Sequence, residues 1–142
     1  MNTIIKALYE YFKECPLMAD GKLNVDFLPE KGREYSIDAI PAEEVVERYI
    51  RGRAKCQYVF TIRTVTPHGR EILQQLDNSG YFEALSGWMR EQTEKRNLPA
   101  MPAGNEPKAI EAQSTGYLFS ADVDTAQYQI QCRLVYKRKG DK

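Results

Sequence analysis

Ala126-Gln127-Tyr128-Gln129-Ile130-Gln131-Cys132-Arg133-Leu134-Val135-Tyr136-Lys137 is the stretch that decides how this chain is read. Ala126, Tyr128, Ile130, Cys132, Leu134 and Tyr136 fall on one side of an extended backbone. Gln127, Gln129, Gln131, Arg133 and Lys137 fall on the other, with Val135 as the exception. Successive side chains of a strand point to opposite faces, so this period describes a sheet strand with one face buried.

Upstream, Ala109 to Phe119 reads as a second strand. Leu98 to Pro107, with three prolines and a glycine, reads as a surface connection. Pro67 to Asn97 is the longest helical stretch. Ile72, Leu73 and Leu76 make one stripe, and Phe82, Leu85, Trp88 and Met89 continue it after Asn78-Ser79-Gly80. Ser79 is a suitable cap, so the spacing predicts two helices, or one kinked at Gly80. Before it, Cys56, Tyr58, Phe60 and Ile62 alternate with Gln57, Val59, Thr61 and Arg63 as a strand.

Glu43 to Arg51 carries two signals. Glu43-Glu44 after Pro41 suits a helix start, but Val45, Val46, Tyr49 and Ile50 are strand formers. Read as a strand, it makes Arg51-Gly52-Arg53-Ala54 the tip of a hairpin. Nearer the N-terminus, Leu23, Val25 and Phe27 alternate with polar residues, Pro29 and Gly32 interrupt, and Tyr35 and Ile37 resume. These two runs read as a hairpin. Thr3 to Cys15 is an amphipathic helix that Pro16 ends, with a turn at Asp20-Gly21. The expected fold is one α+β domain over residues 1–142. It has a mixed or antiparallel sheet with helices packed on one face, in the order helix–strands–helices–strands.

The 142 residues suffice for one core, and 42% are apolar, an ordinary globular value. Lys and Arg number 20 against 20 Asp and Glu. That balance argues against a protein that binds nucleic acid by neutralising phosphates. The one basic cluster, Lys137-Arg138-Lys139 with Lys142, reads as a solvated terminus. No apolar run is long enough to span a bilayer, and the N-terminus lacks a signal-peptide core, so a cytoplasmic protein without a membrane partner is expected.

Chemistry-bearing residues are few. His68 is the only histidine, and no serine or cysteine nucleophile stands beside it; an exposed loop histidine is the plainer reading. Asp20, Asp122 and Asp124 lack the glycine and distal glutamate of a calcium loop and suit turns instead. Cys15, Cys56 and Cys132 are odd in number and far apart, which gives no disulfide framework. Cys56 and Cys132 read as small buried hydrophobes. No catalytic residue, metal ligand or cofactor is expected. The aromatics say more: Tyr49, Tyr117 and Phe119 do not all fit one small core, and exposed aromatics on strands can mark an assembly surface.

The residues Ser114-Thr115-Gly116-Tyr117-Leu118-Phe119, then Asp122, Asp124-Thr125-Ala126 and Tyr128 to Leu134, resemble a stretch shared by small proteins of phages and prophages of Gram-positive bacteria. Ile5 to Phe12, Tyr35-Ser36-Ile37-Asp38 and Asn78-Ser79-Gly80-Tyr81 resemble it too. These are the tail-terminator proteins of long-tailed phages, also described as tail-completion, minor capsid or head–tail joining proteins. The resemblance implies an α/β domain that forms a ring, typically six-fold. Its partners would be copies of itself, the tail-tube protein and the head connector, in the host cytoplasm during assembly and then in the virion tail. Such a ring needs two different patches per subunit. The candidate contacts are Tyr49, Arg51, Arg53, Tyr117, Phe119, Gln127, Gln129 and Gln131, with the hairpin tip and the Leu98 to Pro107 segment as candidate arms. Two alternatives stand beside it. One is an adaptor that binds a partner through a sheet edge. The other is a chloramphenicol-modifying enzyme, a label that similar sequences sometimes carry. The residues after His68 lack the H-x-x-x-D-G context of the acetylating enzyme.

Overall fold

The computed structural model describes residues 3–19, 22–26, 28, 34–67, 72–121 and 125–140. Its centre is a pair of long antiparallel strands. β4 (Ala54–Pro67) and β7 (Thr125–Arg138) run side by side from Ala54 opposite Arg138 to Pro67 opposite Thr125. On the far side of β4 lie β2 (Glu34–Ala39), against Phe60 to Val65, and β3 (Val45–Arg48), against Ala54 to Cys56. β1 (Lys22–Val25) adds outside β2. On the far side of β7 lie β5 (Asn105–Ala112) and β6 (Tyr117–Ala121), one beyond the other. The helices are α1 (Ile4–Lys13) and α2 (Ile72–Glu94).

This corrects the expected fold class. The expected α+β order of helix–strands–helices–strands placed a group of helices mid-chain; one helix stands there, and strands outweigh helices. One mixed seven-stranded sheet carries the architecture, and the described residues hold two α-helices. The physical reason is the β4–β7 ladder. It joins residues some seventy positions apart in sequence, and each strand extends beyond its alternating segment once its backbone groups have partners.

Three local expectations change with it. The region after Pro67 forms one helix through Asn78-Ser79-Gly80. A mid-helix glycine costs about 1 kcal/mol, less than the burial of Phe82, Leu85 and Met89 further along the same helix returns, at roughly 1.5–3 kcal/mol for each large side chain. β1 and β2 pair in parallel, not as a hairpin; alternation is the same for either direction, so the period cannot set it. Phe27, Pro29 and Gly32 lie outside the described residues. The single strand expected over Ala109 to Phe119 is split into β5 and β6 by a bend at residues 113–116.

Ser114 makes the bend. The backbone N–H groups of Gln113 and Ser114 both donate to the Gln131 carbonyl, at 2.8 and 3.3 Å, and Ser114 Oγ accepts from the Gln131 N–H at 3.0 Å. A side-chain oxygen thus replaces the missing ladder partner. Gly116 then passes against Phe82, where a Cβ would stand 2.3 Å from the ring.

The core lies between the two helices and one face of the sheet. Leu8 and Phe12 from α1 and Phe82, Leu85 and Met89 from α2 meet Phe60 and Ile62 of β4 and Ile130, Cys132 and Leu134 of β7. Thr3 caps α1 by accepting the Lys6 N–H at 3.2 Å. The whole row from Ala126 to Tyr136 that alternation assigned inward is buried, and Val135, the exception, is buried on the opposite face.

Candidate functional site

The hairpin expected around Arg51-Gly52-Arg53-Ala54 is present. β3 and β4 pair antiparallel, and the Tyr49 N–H donates to the Arg53 carbonyl at 2.8 Å across the tip. The turn places Arg51 and Gly52 at φ 63° and 75°, in the left-handed region where glycine is at ease and arginine is not. This tight turn leaves little room for the tip to fold its side chains inward. Tyr49 is 42% exposed and Ile50 is 75% exposed, with Arg51 and Arg53 exposed beside them.

Beside the tip runs a groove of about 710 Å³. Its lining includes Tyr49, Ile50, Arg53, Lys55, Val135 and Lys137. Lys55 faces Lys137 directly across β4 and β7. Arg133 and Lys108 on its other wall are already paired, with Glu111 at 2.8 Å and Glu106 at 3.0 Å. The Lys108 ammonium beside Glu106 holds that carboxyl below its usual range. The basic cluster near the C-terminus is therefore not a solvated tail. Lys137 and Arg138 belong to β7, Arg138 lies 3.5 Å from Glu44, and the Lys139 N–H donates to Gly104 at 2.8 Å. Lys142 lies outside the described residues.

The second exposed cluster is on β6, whose outer edge pairs with no strand among the described residues. Tyr117, Leu118 and Phe119 are 42%, 48% and 57% exposed. A register shift between Leu118 and Ser120 turns this short strand so that neither face closes over the core. Gln129 Nε2 donates to the Tyr117 hydroxyl, and Gln131 Nε2 donates to Gln113 Oε1 at 3.0 Å. These glutamine amides therefore hold the sheet to β6 and to the bend. Gln127 is half-buried opposite Ser120.

The candidate contacts thus fall into two groups. Tyr49, Arg51 and Arg53 gather at the tip; Tyr117, Phe119, Gln127, Gln129 and Gln131 gather at β6. Ala54 next to the tip pairs with Arg138, and Tyr117 pairs with Gln129. Those positions on β7 are about 30 Å apart at the rise of an extended strand. Sequence reasoning missed Ile50 and Leu118. An apolar residue inside a hairpin tip was the available signal for Ile50. Leu118 carried none, because its place in the alternation is that of a core residue.

The Leu98 to Pro107 segment is fastened to the body. Leu98 and Met101 pack on the core, Pro99 is buried, and Tyr11 donates to the Asn97 carbonyl at 2.8 Å. Pro107 lies within β5, so the connection is shorter than expected. His68, Asp20, Asp122 and Asp124 lie outside the described residues. The described residues hold no group of three or more potential metal ligands. Cys15, Cys56 and Cys132 are buried free thiols, and burial pushes all three up from the usual thiol range. No described helix is long and apolar enough to cross a membrane.

No protein-family model matches the chain, and no curated protein matches it in sequence.

Proposed function

We propose that the chain is a structural assembly protein of a phage or prophage, a ring-forming terminator that caps the tail tube and joins it to the head. The supporting observation is the presence of two separate exposed apolar clusters, Tyr49-Ile50 and Tyr117-Leu118-Phe119, on one sheet. A subunit that binds copies of itself around a closed ring needs two unlike patches, and one that also meets a tube and a connector needs more surface still. The resemblance carried by Ser114 to Phe119 and Tyr128 to Leu134 supplies the phage assignment. No catalytic role is proposed for the chain.

Electron microscopy of purified tails tests this. Antibody or tag label is expected at the head-proximal end of the tail, and its absence there removes the proposal. The adaptor reading has one observation in its favour, the open outer edge of β6, onto which an extended partner strand could add. A monomer with a single tight partner unrelated to phage assembly would favour it.

A further inference from the structure

The two ends of the sheet differ in how their outer edges are finished. At the end that holds the hairpin tip the strand order is β3–β4–β7–β5, and the Thr93 hydroxyl of α2 occupies both the N–H and the carbonyl of Ile110 on β5. At the far end the order is β1–β2–β4–β7–β6, and neither β1 nor β6 has an outer partner strand among the described residues. The exposed large apolar side chains of this end stand on those two strands. They are Val25 on β1 and Tyr117, Leu118 and Phe119 on β6.

These two open edges match each other in level and in direction. One row of directly paired residues crosses the sheet from Leu118 through Tyr128, Thr64 and Tyr35 to Leu23. The next row runs from Tyr117 through Gln129, Arg63 and Ser36 to Asn24. β6 is antiparallel to β7, β7 to β4 and β4 to β2, while β1 is parallel to β2, so β6 and β1 run in opposite directions. A copy shifted sideways by the width of this end, about 24 Å at the usual strand spacing, therefore brings its β1 beside the first copy's β6 as an antiparallel neighbour. The helices of both copies stay on one face. Tyr117 to Ala121 carries no charged residue, so the one charge of β1, Lys22, meets no like charge there. A foreign strand would close one of the two edges; a row of copies closes both.

We propose that the β6 edge of one copy pairs antiparallel with the β1 edge of a second copy, so that the sheet continues from molecule to molecule. Main-chain hydrogen bonds hold the two strands together, as in other cases of strand addition. Leu118 is level with Leu23, and Val25 lies two residues further along the same face of β1, so Leu118 and Val25 become diagonal neighbours across the joint. This names the self-contact of the assembly reading above and rests on it. The contact joins two unlike edges, so repeated from copy to copy it builds a ring or a chain of subunits.

Cross-linking tests it, because the native thiols are buried and the new positions are exposed. Val25→Cys protein is mixed with Leu118→Cys protein and treated with a short bis-maleimide. A mixed covalent dimer is expected, with little dimer from either variant alone. Ile50→Cys in place of Val25→Cys, at an equally exposed apolar position on the hairpin tip, is expected to give little. Adding Phe119→Lys to the Leu118→Cys chain removes an apolar side chain from the edge and puts a charge there. It is expected to lower the yield about tenfold. Absence of the mixed dimer, a yield indifferent to Phe119→Lys, or as much dimer from Leu118→Cys alone or from the Ile50→Cys mixture would each overturn the contact. Mixed dimers from a chain absent from tails would remove the phage reading and leave the contact standing. Label at the head-proximal end without mixed dimers would do the reverse.

Discussion

Gly116 shows how little room single residues have around the bend. Its neighbour is the Phe82 side chain, and the added methyl of alanine would overlap the ring at 2.3 Å. Gly116→Ala should therefore lower stability by about 1–3 kcal/mol, the usual cost of overpacking, seen as an earlier midpoint in urea. Phe82→Leu in the same chain should recover part of that loss, whereas Gly80→Ala, which meets open space in α2, should cause no such loss. Ser114 and Gly116 lie in the bend between β5 and β6, and the structure gives each a mechanical task. One replaces a ladder bond, and the other lets β6 pass under α2. Neither task was legible in sequence, where Ser114-Thr115-Gly116 read as part of a continuous strand. The Oγ partner and the ring both come from distant segments.

Among the elements, β5 is an edge strand with a guard. The Thr93 hydroxyl at the end of α2 donates to the Ile110 carbonyl at 2.8 Å and accepts the Ile110 N–H at 3.0 Å. A helix thus occupies backbone groups that would otherwise be free to pair with another chain. Thr93→Val keeps the shape and removes both bonds. It should cost about 1–3 kcal/mol and speed hydrogen exchange at the Ile110 amide. β6 has no such guard among the described residues. Strand existence was legible here and strand direction was not. The 3.6-residue period correctly marked α2, but a glycine after a serine looks the same in a helix break as in a helix that packing holds together.

For the whole molecule, the β4–β7 ladder makes folding depend on groups that stay uncharged inside. Cys132 is fully buried on β7, and burial pushes its thiol up from the ordinary value of 9.0. Tyr136 is 1% exposed and donates to Glu44 at 2.8 Å. Burial first, and that bond second, push its phenol up from 10.0. The unfolded chain releases these protons near pH 9 and 10, while the folded chain holds them longer. Stability should therefore be complete below pH 9 and fall as pH rises above it. Urea midpoints measured between pH 8 and 11 should decline steadily, and Cys132→Ala should shallow the early part of that decline.

By itself the sequence determined α1 with its Thr3 boundary, the inward row from Ala126 to Tyr136 and the location of the surplus aromatics, while the hairpin at Arg51-Gly52 stood as one of two readings of Glu43 to Arg51. Each is a local pattern of period, turn chemistry or composition, readable without knowing what lies opposite. Only the tertiary structure decided that β4 and β7 pair along their whole length, that β1 runs parallel to β2 and that the strand after Ala109 breaks at Ser114. It alone placed the exposed residues in two clusters at opposite ends of one sheet. Those outcomes depend on which backbone groups and side chains of remote segments meet, and a hydrogen bond or a close contact between distant residues leaves no trace in the order of either.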